Sequence, residues 1–401
     1  MYDAIVVGAR CGGSPTAMLL ARKGYKALLV DRATFPSDSM RNHYIRHKGV
    51  VQLHKWGLLD RIIESGCPPL IKHTVDLGDF PLGGYAPPGD GVIAEYGPRR
   101  YILDKILVDA AAEAGVEVRE GFSVQELLME DGRVVGIKGK AKGGSVVTER
   151  ARMVVGADGQ HSMVARGVDA KTYSENPATS CGYFSYFSRI DCEGIEVYMR
   201  DQPAFMLAFA THNGLTCVAT QVPIEQFPGF RADIEKAFLE RMELAPELAE
   251  RVRNGKREEK FFGSADLPGF FRKPYGPGWA LVGDAGYHKD PITARGISDA
   301  FRDAELLAEA IDAGFSGQMP LEEAMAEYER VRNEAAMPSY NEACESAAFK
   351  PIPPMAYKIR EAVRGNQVEI DRMMGVTGGT VPADEFYSPE NIQRILREAR
   401  K

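Results

Sequence analysis

Residues 2–32 read YDAIVVGARCGGSPTAMLLARKGYKALLVDR. Within them AIVVG is a continuous apolar run rich in β-branched residues, the pattern of a strand buried on both faces of a parallel sheet. SPTAMLLARKG follows with apolar residues at helical spacing and stops at Gly24, and KALLVD is a second buried run closing on Asp31. Strand, glycine loop, helix, strand and terminal acid make one βαβ unit. Asp31 stands 23 positions after Gly8, close to the roughly 20 at which a carboxylate holds the ribose hydroxyls of an adenine dinucleotide. Gly8 permits the tight exit from the strand and Gly13 the close packing of helix on strand, with Gly12 as a further permissive position. The middle position of the G-x-G-x-x-G pattern carries Arg10 instead of glycine. Its guanidinium is always charged and is suited to gripping an anion that the backbone holds less closely.

Working outward, RMVVGADGQHSMVARGV (152–168) reads as a strand that ends at Asp158-Gly159, and WALVGDA (279–285) as another that ends at Gly283-Asp284. A loop with Pro291 follows, and a long helical pattern begins near Gly296. A helix start there sets unpaired N–H groups and the positive end of the helix dipole beside electron-rich atoms.

The chain has 401 residues, enough for two ordinary domains or one large discontinuous α/β unit. Its 44% apolar and 26% charged residues are those of a soluble globular protein, and no apolar run approaches the roughly 18 residues of a membrane span. Met1 runs almost directly into the first strand pattern, which leaves no room for a secretion leader, so the expected location is cytoplasmic. A net charge of -7 with no block of Lys or Arg argues against nucleic acid as the partner. Cys11, Cys67, Cys181, Cys192, Cys217 and Cys344 form no C-x-x-C pair, as expected of reduced, packed thiols and not of a disulfide frame or a metal site.

Taken together, these motifs resemble the FAD-dependent oxidoreductases of the p-hydroxybenzoate hydroxylase-like group, the group A flavoprotein monooxygenases, and more distantly the geranylgeranyl reductases and flavin halogenases. The resemblance runs from residue 1 to about 315. It implies an α/β fold: a Rossmann-like FAD-binding domain of the glutathione-reductase type, an inserted antiparallel-sheet substrate domain and a helical C-terminal region. Residues 1–75, 95–168 and 276–315 would form the FAD-binding domain, 76–94 and 169–275 the substrate domain, and 316–401 the helical region. By the same resemblance Gly8, Arg10, Cys11, Gly12 and Gly13 would meet the FAD pyrophosphate. Asp31, followed by Arg32, would meet the adenosine ribose. Asp158 and Gly159 would lie near the pyrophosphate and the nicotinamide donor, Gly283 and Asp284 on the ribityl chain, and Pro291 and Gly296 beside the isoalloxazine ring. YGPRRYILDKILVDAAAEAG (96–115) resembles the segment that opens a helix next to the cofactor, so that Arg99 or Arg100 would face the ribityl or phosphate groups. Two positions depart from the family pattern: Arg10, and Ala165 where an arginine usually falls seven residues after Asp158, with Arg166 one place later.

The activity that the resemblance implies is hydroxylation of an apolar or aromatic small molecule. NADH or NADPH binds transiently as electron donor, and a flavin hydroperoxide formed with O2 transfers one oxygen atom. The alternative is an FAD-dependent reductase or dehydrogenase acting on an isoprenoid or polyketide double bond; a non-catalytic carrier of the same fold is a third reading. The W-x-W-x-I-P segment of the halogenases is missing, since the only tryptophans are Trp56 and Trp279. SMRNHYIRHKGVVQLHKWGLLD (39–60) supplies Arg41, His43 and Arg46 as candidates for phosphate or substrate contact, and His288 beside Pro291 is placed to move protons near neutral pH. Strand-like stretches between about 170 and 275 carry Tyr183, Phe184, Tyr186, Phe187, Phe205 and Phe209, which either line an apolar cavity or form sheet core. No membrane span and no nucleic-acid partner are expected, and the chain is taken as monomer or homodimer.

Overall fold

The computed structural model describes residues 1–38 and 43–399. The chain divides into two packing units, each assembled from three separate segments: Met1–Ser39, Arg100–Pro177 and Pro268–Cys344 in the first, and Met40–Arg99, Ala178–Leu267 and Glu345–Lys401 in the second.

In the first unit, β1 (Tyr2–Val7), α1 (Gly13–Arg22) and β2 (Ala27–Val30) form the expected βαβ unit. The helix ends where Gly24 takes a φ of +90°, a left-handed turn that a side chain would resist. Then come α2 (Arg100–Glu113), β3 (Glu117–Arg119), β4 (Val147–Gly156), β5 (Trp279–Leu281) and α3 (Gly296–Phe315). The sheet order is β5-β4-β1-β2-β3, parallel throughout, with Tyr275–Gly276 as a short antiparallel edge beyond β5. Ile5, Leu28, Val30, Val154 and Leu281 are fully buried in its core. Each such side chain contributes roughly 1.5–3 kcal/mol by leaving water, which explains why these strands read as unbroken apolar runs. A small second sheet pairs Thr172–Asn176 with Gly269–Arg272 and the latter with Tyr287–His288.

The second unit is built on a sheet whose central strands, Ser180–Ser188, Thr216–Pro223, Ala204–Ala210 and Ile195–Arg200, are antiparallel; Lys72–Asp76 joins the last of these in parallel and Pro81–Tyr85 follows antiparallel to it. Side-chain alternation sorts its aromatics onto two faces. Tyr183 and Phe187 join Met206, Val218 and Val222 under the helices Phe227–Ala232, Ile234–Met242 and Pro246–Asn254, with Tyr183 stacked on Phe230 at 4.8 Å. Phe184, Tyr186 and Phe209 point the other way. The C-terminal part is helical, with Ile359, Val363, Met374 and Phe386 packed around Leu82.

These divisions follow packing, whereas the sequence divisions followed function. The main differences are that residues 43–99 stay together in the second unit, that Gly269–Arg272 belongs to the first, and that the C-terminal region expected over 316–401 is divided, with 316–344 in the first unit and the remainder in the second.

Candidate functional site

Strand register in the first unit sets the geometry. Val7 is level with Val30 on one side and Gly156 on the other, and Gly156 is level with Leu281. The four carboxyl ends therefore stop in one row, and the residues that follow them, Gly8, Asp31, Asp158 and Gly283, leave the same edge of the sheet. β1 is the strand from which the chain proceeds both ways, to β2 on one side and β4 on the other, and ligands of open α/β sheets lie outside the carboxyl ends at such a switch point.

The loops at this edge are tight. Gly8 has a φ of +104°, and a Cβ there would overlap the Ala157 carbonyl. Both Asp31 oxygens are engaged by backbone, Oδ2 accepting from Ala9 N–H at 2.7 Å and Oδ1 from Ala33 N–H at 2.8 Å, which fixes the carboxylate against the glycine loop. Asp158 Oδ2 accepts from Met163 N–H at 2.6 Å, while its buried Oδ1 has no partner among the described residues. Burial raises the Asp158 carboxyl above its usual range. Gly159 and Gly283 take φ values of +81° and +59°.

The family of FAD binding domains matches residues 1–342. This chain belongs to that family. Among its relatives, the Digeranylgeranylglycerophospholipid reductase of Methanosarcina acetivorans is 29% identical over 348 residues, covering 82% of this chain and 80% of that one. The myxobacterial chondrochloren halogenase CndH is similar in structure with a TM-score of 0.79 at 22% identity, covering 99% of this chain and 96% of that one. PqsL of Pseudomonas aeruginosa, a probable FAD-dependent monooxygenase, gives 0.71 at 20% identity, covering 94% and 99%. At these identities the two solved structures show a shared fold.

The residues of this FAD binding domain protein fit the cofactor by two observations. The glycine loop is a cradle that a Cβ would fill, and Asp158 Oδ1 is a buried acceptor lacking a donor, which a ligand hydroxyl would supply. Arg10, the departure in the glycine loop, is paired with Asp104 on α2 and donates to Ser37 Oγ at 3.1 Å. Asp104 is fully buried and also receives three bonds from the Arg100 guanidinium, at 2.8, 3.1 and 3.2 Å. The Cys11 thiol, pushed up to about 12 by burial, lies 3.7 Å from the same carboxylate. Asp104 is thus the hub behind the glycine loop; its i, i+4 spacing from Arg100 was the one sequence signal, and nothing signalled its link to Arg10.

The remaining predicted residues are spread over both units. Pro291 opens a short turn capped by Asp290, and Gly296 begins α3. His288 stacks on Phe270 at 5.7 Å and has Nδ1 against the Pro268 carbonyl. Arg32 is exposed. Arg41 lies outside the described residues. In the second unit, Arg99 lies over the Tyr186 ring at 3.8 Å and binds Glu259 through both terminal nitrogens, at 2.7 and 3.1 Å. His43 stacks on Tyr186 at 5.6 Å and donates from Nδ1 to the Gly97 carbonyl at 3.0 Å. Arg46 immediately precedes the helix His47–Lys55, and its side chain makes no capping bond.

A buried polar cluster in the second unit was missed by sequence reading. Glu95 accepts from Tyr44 OH and from His47 N–H, and His73 Nε2 lies 3.3 Å from its Oε2. Burial lifts the Glu95 carboxyl to about 7, against the pull of the Arg46 charge. Burial, helped by the same charge, lowers His73 to about 4. The two pH effects have opposite signs. His73 costs stability as pH falls from about 6.5 to about 4, because the unfolded chain takes the proton first; Glu95 costs stability as pH rises from about 4.5 to about 7, because the unfolded chain loses it first. Between about 4.5 and 6.5 each state holds one proton, so this pair contributes almost no slope in the intact protein. Replacing one partner should uncover the other. Unfolding free energies from urea titrations should rise with acidification from pH 7 to 4.5 in His73→Gln and fall from pH 6.5 to 4 in Glu95→Gln, each by about 3 kcal/mol at most; parallel slopes in both variants would refute the assignment.

Proposed function

We propose that this protein is an FAD-dependent monooxygenase that takes electrons from NADH or NADPH and hydroxylates a compact apolar or aromatic molecule with O2. The observation that carries this reading is the second face of the antiparallel sheet. Phe184, Tyr186, Phe209 and Phe262 are interleaved there with the Arg99 guanidinium and the His43 ring. Flat rings set beside a few polar groups suit a ring-shaped substrate with polar substituents better than a long, flexible hydrocarbon chain.

In this proposal the residues from Gly8 to Gly13, with Asp31 and Arg32, hold the adenosine and pyrophosphate half of the cofactor. Asp158, Gly159, Gly283, Asp284, Pro291 and Gly296 hold the flavin half. Bound there, FAD supplies the electron transfer that no side chain provides. The chain's own contribution is to orient, to exclude water and to bind substrate. Arg99 is held for the last task by Glu259 and by its backbone N–H, which donates to His212 Nδ1 at 3.2 Å. That bond requires neutral His212, a state favoured by burial.

A second reading is favoured by the sequence relatives, which bear the name of a lipid reductase over four-fifths of their length. One experiment separates the two. The holoprotein is mixed anaerobically with NADPH or NADH, then exposed to labelled O2 with a panel of phenols, aryl acids and polyprenyl lipids. Bleaching of the flavin followed by labelled oxygen in an aromatic product is expected. A saturated lipid formed without O2 would transfer the assignment to the reductases, and no bleaching with either donor would remove both.

A further inference from the structure

Arg272 belongs to a segment, GFFRKPYG, that carried no motif. In the structure it sits on the strand Gly269–Arg272, between the loop after β4 and the loop after β5. Its Nη2 donates to the Gln160 carbonyl at 3.0 Å and its Nη1 to the Ala285 carbonyl at 2.9 Å. Its own N–H donates to the Gly286 carbonyl at 2.8 Å. One guanidinium therefore spans the backbones of both dipeptide loops, Asp158-Gly159 and Gly283-Asp284, at the residue directly after each.

Three further facts set this arginine apart from an ordinary core contact. It forms no ion pair among the described residues, whereas Arg10, Arg99, Arg100 and Arg302 all do. Its guanidinium lies over the Phe270 ring at 4.2 Å, which fixes its plane. And the carboxylate whose charge it feels is Asp158, whose Oδ1 is the orphaned acceptor of the site. A rigid planar fork sets two diverging donors at fixed angles to carbonyls on separate loops; an ammonium also has several donors, but on a flexible stem that does not fix their directions.

We infer that Arg272 is a positioning residue for the cofactor: it locks the loops after β4 and β5 into one rigid surface for the flavin half of FAD, without touching the adenosine half. The inference rests on the assignment of Asp158 and Asp284 to the flavin half. The adenosine half is served by Gly8, Gly13 and Asp31, none of which bonds to Arg272.

The test compares two ligands on apoprotein prepared from wild type, Arg272→Lys and Arg272→Met. FAD and ADP affinities are measured by calorimetry, and thermal midpoints are recorded without ligand. Loss of the bridge should weaken FAD by about tenfold or more in Arg272→Met while ADP stays within about twofold in the same variant. Arg272→Lys should fall between, and the visible spectrum of its bound flavin should lose vibrational structure. Parallel loss of FAD and ADP, or no loss of either, would overturn the inference. If Arg272→Met fails to fold, the same ratio is read from Arg272→Lys, where equal losses again refute it. If wild-type protein binds FAD no more tightly than ADP, the assignment of the flavin half fails instead, and the two failures are distinct.

Discussion

Gly13→Ala should yield a protein without bound flavin. A Cβ at Gly13 would overlap the Gly8 carbonyl and sit 3.0 Å from the Ala157 Cβ, and Gly8 and Ala157, directly after β1 and β4, are tied to the sheet by N–H bonds to the Val30 and Val7 carbonyls. Relief requires α1 to move away from β1 and β4, which opens the cradle in which the pyrophosphate is proposed to lie. Overpacking of this kind costs about 3 kcal/mol, and since the distortion lies in the proposed binding loop, FAD affinity should drop by roughly a hundredfold or more. Gly12→Ala is the matched control: its Cβ would meet Val282 at 3.6 Å, an ordinary contact. The ratio of flavin to protein absorbance in the two purified variants checks the prediction. A yellow Gly13→Ala would mean that the loop tolerates displacement, contrary to the packing described above.

Asp104→Leu should be the most destabilising single change on α2. The carboxylate is fully buried and neutralises Arg100, which is itself buried, while Arg10 approaches from the glycine loop. Removal strands the Arg100 charge in a medium that solvates it poorly, at about 3–5 kcal/mol. Arg10→Gln should cost far less, under about 1 kcal/mol, because its head is partly in water and Arg100 still satisfies Asp104. Urea unfolding of the two variants gives the comparison. Equal midpoints would show that Asp104 is not the hub that the geometry makes it.

The βαβ unit was legible because burial on both faces writes itself into the strand composition, and because Gly8, Gly13 and Asp31 carry positional duties that few other residues meet. The ends of β4 and β5 were legible for the same reason. The aromatics of residues 183–209 were only half legible. Alternation along a strand sends Tyr183 and Phe187 to one face and Phe184 and Tyr186 to the other, but the sequence does not say which face helices will cover. Glu95 and Arg272 were not legible at all, and Asp104 only as an i, i+4 partner of Arg100. Each also works through a partner far along the chain, Arg10 with Asp104, His73 with Glu95, Gln160 with Arg272, and a charge in the sequence carries no mark of its burial.

Because the first unit is made of three segments ending at Ser39, Pro177 and Cys344, its construction is tied to the direction of synthesis. A nascent chain offers β1 and β2 to the cell while β4 and β5, which must flank or follow them, are still being translated, an interval on the order of tens of seconds. Throughout that time β1 has an unpaired apolar margin. The first unit therefore cannot close until its third segment, Pro268–Cys344, has emerged, although its β1 is the first strand to be made.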